Sequence, residues 1–295
     1  MLKTSIVIAS WRRPAQLAEA LRRLPVQPML TFGSELILVG SAPDDDTAAV
    51  MTAYARQAPF PVKVAMADKP GFAHAQNVGL TMSEGELLVF TDDDCYLEET
   101  YLATLLRRFD PRAFQYGMGE IALANPDDDP RIANTGWWSF PDMQIIPPHS
   151  VVAPGMIQGA NMFFLREVLA ATGGVCQVGP VENNDLMTAF LASRAGYTGA
   201  LLRGPKVYHD HGRRRGSPEA QKVADVYAVI AGAYFAQLAA IGRTAAFDLW
   251  KTSVPEGGSV DLHKLEIEFR AAADEIAWLR QTRTPAGPDA LGVAA

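Results

Sequence analysis

The sequence predicts an α/β fold: a mixed, mainly parallel sheet flanked by helices, with a helical extension at the C-terminal end. Three observations predict it. Short apolar runs alternate with helix-period stretches through the first hundred residues, the pattern of strands joined by crossover helices. The runs are continuously apolar rather than alternating, as strands covered on both faces are. From Pro218 onward, alanine-rich and amphipathic helical periodicity takes over.

Taken in order, Ser5–Ala9 is a buried strand that ends in the loop 10–14, and 15–24 carries Leu17, Leu21 and Leu24 at helical spacing. Residues 35–39 form a second strand, followed by a Gly/Pro/Asp loop and a helix over 47–57. A strand at 62–65, a helix at 73–82 behind Gly71, and a short buried strand at 87–90 complete this half. Ligands on such sheets sit beyond the carboxyl ends of the strands, so the loops after Ala9, Val39 and Phe90 are the informative ones. From about Tyr101 the pattern loosens, and 124–154, rich in Pro, Asp, Gly and aromatics, reads as a long functional loop. Structure resumes at 158–165. Helices are then expected at 166–172, 185–195, 218–241 and 263–280, a turn at Gly173-Gly174 and a short strand at 206–209. The tail from Thr284 is rich in small residues and proline and is expected to fray.

Composition narrows the classes. Of 295 residues, 48% are hydrophobic and 20% charged, a globular balance that excludes collagen-like, coiled-coil and mainly disordered chains. The 26 basic and 33 acidic residues leave a net charge of −7, which argues against a nucleic-acid partner but leaves room for a local phosphate pocket. Two cysteines, Cys95 and Cys176, make neither a disulfide framework nor a four-cysteine zinc site. The N-terminal apolar run is too short for a signal-peptide core. The apolar stretch 226–242 falls short of the roughly 20 strongly apolar residues of a bilayer span and reads as a buried or membrane-surface helix. The expected location is the cytoplasm, with peripheral association at the inner face of the membrane.

Three runs of three aspartates occur, at 44–46, 92–94 and 127–129. The first precedes a helix, whose N-terminus its charges complement. The third lies between Pro126 and Pro130. Both read as solvated turns. The middle run directly follows the strand 87–90 and so stands at a strand's carboxyl end. Hard oxygen ligands there suit Mg2+ or Mn2+ bridging a diphosphate.

Six ordered blocks between about residues 3 and 215 resemble the family 2 glycosyltransferases of GT-A fold. They are 5–14 (SIVIASWRRP), 71–79 (GFAHAQNVG), 85–94 (GELLVFTDDD), 159–162 (GANM), 182–186 (ENNDL) with Ala195-Gly196-Tyr197, and Val207-Tyr208-His209. The resemblance implies a GT-A glycosyltransferase domain over 1–215, with a nucleotide-sugar-binding half at 1–100 and an acceptor-binding half at 101–215. A helical extension then occupies 216–295. It implies metal-dependent, inverting transfer of a sugar from a nucleotide-diphosphate donor to a glycan or lipid-linked acceptor hydroxyl. Asp94, Asp92 and His209 are the implied metal ligands, with His211 a weaker candidate. Asp92 reaches the donor ribose or the metal, Asp93 shares the task of either neighbour, the loop Ala9, Ser10, Trp11 with Arg13 cradles the nucleotide, and Gln76 and Asn77 lie near the diphosphate. Arg213, Arg214 and Arg215 are either a phosphate clamp or a solvated patch. Trp137, Trp138, Phe140 and Met143 are either an acceptor cover or a hydrophobic plug.

The chain departs from the family pattern at the general base. The usual carboxylate position is Asn183, and an amide is no carboxylate base. Three alternatives follow: Glu182 serves with Asn183 orienting a hydroxyl, Asp185 serves one helical turn away, or turnover is lost and the domain binds nucleotide sugar or a partner. Two further departures leave the donor open. Gly40-Ser41-Ala42-Pro43 follows the second strand where the family carries an Asp, and Gln76 replaces the usual Arg. A nucleotidyltransferase is a rival on the same sheet, but residues 10–14 lack its glycine-rich triphosphate loop.

Overall fold

The computed structural model describes residues 2–133, 142–176, 184–243 and 261–282. Contacts divide them into two compact units, 2–176 with 184–215, and 216–243 with 261–282.

The first unit begins with the expected alternation. Strands β1 (Thr4–Ser10), β2 (Glu35–Gly40), β3 (Val62–Met66) and β4 (Leu87–Asp92) are joined by α1 (Pro14–Arg22), α2 (Val26–Thr31), α3 (Asp45–Gln57) and α4 (Phe72–Met82). These strands are parallel in the order β3-β2-β1-β4. Residues 5–9 and 35–39 are all buried, as continuous apolar strands require. Gly79 lets α4 lie directly on β1, since a Cβ there would come within 2.5 Å of Val7.

Where the periodicity loosened, the described residues are in fact well structured. Strand β5 (Cys95–Leu97), helix α5 (Tyr101–Arg108), strand β6 (Tyr116–Leu123), the short α6 (Pro130–Ala133) and strand β7 (Met143–Ile146) occupy that region. A 3₁₀ turn (Gly159–Asn161) leads into β8 (Met162–Leu165), α7 (Arg166–Thr172) and α8 (Asn184–Arg194). The strand expected at 206–209 is much longer, β9 (Gly199–His209). The order continues β4-β8-β6-β9-β5. Strand β8 is antiparallel to β4 and β6, and β9 is parallel to β6. Antiparallel to β9 run β7, on its first half, and β5, on its last three residues. The first part of the strand is hidden in the sequence because Gly199, Gly204 and Pro205 break its pattern; Gly204, at φ +106°, lies beside a register shift between Gly119 and Glu120 of β6.

The second unit is a pair of helices, α9 (Pro218–Ala240) and α10 (Leu262–Thr282). Ser217 caps α9 by accepting the Ala220 N–H at 3.1 Å, and Pro218 starts it. Over an 18-residue window α9 has a mean hydropathy of 1.5, long and apolar enough to cross a membrane by length and composition, and half of that window is buried. Its Gly232 meets the backbone of Glu268, and Gln237 donates to Glu275 at 2.9 Å, so a helix-on-helix face accounts for the buried half.

Candidate active site

The site forms where the ends of β1, β4 and β9 meet. Strands β1 and β4 are parallel neighbours, so Ala9 stands beside Asp92 and the turn at 93–94 sits against the loop after β1. On the other side Cys95 pairs with His209 across β5 and β9, and Asp210 N–H donates to the Asp94 carbonyl at 2.8 Å. This pairing joins a histidine more than a hundred residues away to the acidic run.

Three side chains fasten the run. Ser10 Oγ donates to Asp93 Oδ2 at 2.6 Å. Arg13 forks, one nitrogen 2.7 Å from Asp93 Oδ1 and the other 2.5 Å from Asp94 Oδ2. His209 Nε2 lies 3.3 Å from Asp94 Oδ1. Burial alone would raise the Asp94 carboxyl, but His209 and Arg13 outweigh it and hold it well below the usual carboxylate range. Burial and the neighbouring Asp94 charge push Asp92 up. Burial also raises Asp93 against the pull of Arg13. His209 is raised: Asp94 favours its charged form more than burial opposes it. Three carboxylates held together with two of them raised make a centre short of positive charge.

Asp92, Asp94, Cys95 and His209 each offer a ligand atom, all within 4.8 Å of one another. Asp94 Oδ1 and His209 Nδ1 are buried with no hydrogen-bond partner among the described residues. Carboxylate and imidazole donors with unused capacity fit a divalent cation. Cys95 was missed in the sequence reading. Its signal was its place, directly after the acidic run.

The start of α8, which follows the segment expected to carry the base, approaches the same place. Asp185, in the first turn of α8, accepts the Gly159 N–H at 3.0 Å and the Leu186 N–H at 2.7 Å. A Cβ on Gly159 would stand 4.0 Å from Asp92 Oδ1, so the Gly159 backbone separates the two carboxylates. Burial pushes Asp185 up. Buried Gln76 accepts from Asn184 Nδ2 at 2.7 Å, tying α4 to α8. Glu182 and Asn183 lie outside the described residues, as do Trp137, Trp138 and Phe140; Met143 is exposed on β7.

Trp11 is 45% exposed, with the Arg12 guanidinium 5.0 Å from its ring centroid. Arg12 has φ +54° and its N–H donates to Asp44 Oδ2 at 2.9 Å. Asp44 thus fastens the loop after β1 to the start of α3, while Asp45 and Asp46 are exposed. Both ends of the Asn77 amide are taken by the Val175 backbone, each at 2.8 Å. Asn161 is likewise a brace: it accepts from Tyr101 and donates to the carbonyls of Glu120 and Pro205.

The third acidic run corrects the expectation of a solvated turn. Asp127 is exposed, but Asp128 and Asp129 are buried. Asp128 accepts from Gly212 N–H at 3.1 Å and Arg214 at 2.8 Å, and its Oδ2 lies 3.9 Å from His211 Nδ1. Asp129 takes a forked contact from Arg131. Arg214, which follows β9, compensates Asp128 from a distance in sequence, while Arg131 compensates Asp129 locally. His211 packs edge-on to His209 at 5.2 Å between ring centroids and accepts the Arg213 N–H. Burial and the neighbouring His209 lower its pKa.

Comparison with known proteins gives the same frame. Residues 5–173 match the family described as Glycosyl transferase family 2. No curated protein matches the chain. Among solved structures, the chain is similar to the mannosyltransferase PcManGT from Pyrobaculum calidifontis in complex with GDP-Man and Mn2+, at 16% identity and a TM-score of 0.56, covering 96% of this chain and 76% of that one. It is also similar to TarS 1-349 from S. aureus in complex with UDP, at 14% identity and 0.55, covering 99% and 75%. A third likeness is to GalNAc-T7 with UDP, GalNAc and Mn2+, at 15% and 0.53, covering 98% and 59%. At these identities the structures speak for the GT-A fold.

Proposed function

Because the chain belongs to glycosyl transferase family 2, we propose that it moves a sugar from a nucleotide-diphosphate donor to a glycan or lipid-linked acceptor hydroxyl by inverting, cation-dependent transfer. Glycosyltransferase is the enzyme class of the family; donor, acceptor and route are our reading. The observation that carries it is the meeting of Asp92, Asp94 and His209 at the carboxyl ends of parallel strands, where nucleotides bind on such sheets.

The residues that would hold Mn2+ or Mg2+ are Asp92, Asp94 and His209. A divalent cation there supplies charge to offset the departing diphosphate. Arg13 and Ser10 hold the carboxylates in place. Exposed Trp11, on a backbone fixed by Asp44, offers a flat face to a base. Gln76 acts on α8 through Asn184, and Asn77 acts on the loop after α7.

Inversion needs one group to take the acceptor proton as the oxygen attacks the anomeric carbon. Both Asp185 oxygens already accept backbone N–H groups, which suits a bracing role. We therefore assign the proton to Glu182, with Asn183 orienting the hydroxyl. The amide at 183 favours a second reading, donor binding without turnover. Replacing Asn183→Asp separates them: a large gain in transfer supports the second reading, and a loss supports a site built around the amide.

The primary test is calorimetry with UDP, GDP and dTDP sugars, in Mn2+ and then in EDTA, on the wild type and Asp94→Ala. Cation-dependent binding of one nucleotide class, lost in the variant, is expected. Binding that survives both EDTA and the substitution would overturn the cation-dependent reading.

A further inference from the structure

We propose that the Cys95 thiolate is a direct ligand of the divalent cation, so that the centre is a mixed oxygen, nitrogen and sulfur set that prefers thiophilic ions to Mg2+. This rests on the reading that Asp92, Asp94 and His209 hold a cation.

The geometry points to sulfur in three ways. The ligand atoms of all four residues lie within 4.8 Å of one another, a spacing that one ion can bridge. Cys95 and His209 are directly opposite in an antiparallel pair, so their side chains leave the same face of the sheet and stand next to each other. The tight turn at 93–94 then folds Asp92 back toward them. Independently of the cysteine, buried His209 Nδ1 has no hydrogen-bond partner among the described residues and buried Asp94 Oδ1 has only the 3.3 Å ion-pair contact with His209 Nε2, and such groups demand a partner. Cys95 is itself buried, and it is unpaired with Cys176, so neither a disulfide nor a solvent-facing role accounts for it.

The chemistry follows from ligand softness. Oxygen ligands alone suit Mg2+ and Mn2+, while a thiolate shifts preference toward Zn2+, Cd2+ and Co2+. Binding is a ligand exchange without oxidation. The S–H bond breaks, its proton passes to solvent, and a metal–sulfur bond forms.

The test is titration of the full chain with Co2+, alone and with UDP or GDP. A near-ultraviolet thiolate-to-cobalt charge-transfer band is expected. Cys95→Ser should lose the band and weaken Cd2+ binding by at least about tenfold, while Mg2+ binding changes little. Cys176→Ser should keep the band. Cadmium NMR on the unsubstituted protein reads sulfur ligation directly, should Cys95→Ser fail to fold. Cobalt bound without a charge-transfer band, or a cadmium shift typical of oxygen and nitrogen ligands only, overturns the role of Cys95 and leaves the metal site standing. Failure of any divalent ion to bind, with nucleotide present, removes both.

Discussion

Glu35 and Asp94 are both buried carboxylates held below their ordinary pKa, but by different partners and with different consequences. Burial alone would raise Glu35; hydrogen bonds from Ser5, the Glu84 N–H and Lys63 outweigh it. Its folded pKa therefore lies below its usual 4.5. The stability it contributes is present above that value and is lost as pH falls through the lower folded one. Glu35→Gln should cost about 1–3 kcal/mol at neutral pH and flatten the acid side of the stability curve, as urea titrations between neutral pH and strong acid will read. An unchanged acid limb would remove Glu35 from the account. Asp94 instead balances Arg13 and His209 at the site. Asp94→Asn should keep the fold by circular dichroism and lower kcat by about a hundredfold or more. A variant with wild-type kcat would end the proposed role.

At the scale of elements, β9 assembles the site. Its first half carries β7, its last residues carry β5, and β6 runs along its other side. The bend between these halves is braced by Asn161, which donates to the carbonyls of Glu120 and Pro205. Gly119 makes room for it: a Cβ there would fall 2.3 Å from the Pro205 carbonyl and 2.5 Å from Asn161 Nδ2. Gly119→Ala should destabilise by about 1–3 kcal/mol, measured as the urea midpoint. Beyond β9, Asp128 fastens Gly212 and Arg214. Asp128→Asn removes the charge partner of Arg214 and should raise the donor KM more than it lowers kcat, which steady-state kinetics separates; an effect on kcat alone would assign Asp128 to the chemistry instead. Strands β1, β2 and β4 of the first half were legible because each is a nearly continuous buried run. Only the end of β9, 206–209, was legible, since the glycines and proline of its earlier part serve a bend and a register shift that only its neighbours explain.

At the scale of the molecule, each unit has its own packing. In the second, Gly232 allows α9 and α10 to touch backbone to backbone, since a Cβ would meet the Glu268 carbonyl at 2.1 Å. Gly232→Val should part the helices and speed amide hydrogen exchange across residues 218–240 and 262–282, the helices holding most of their protection through tertiary packing. Unaltered exchange would mean that the contact contributes little.

The sequence by itself determined the α/β class, the helices at 166–172 and 218–240 within a residue or so, and the place of the middle acidic run at a strand's carboxyl end. These are local properties: burial on both faces, helical period, and position at a strand's end. Only the tertiary structure decided that His209 reaches Asp94, that Cys95 joins them, that Asp44 fastens the loop carrying Trp11, and that Asp128 is buried against Arg214. Each of these depends on a partner distant in the chain. A carboxylate's burial is set by the cation that the fold brings to it, and nothing in a run of three aspartates records where that cation will be.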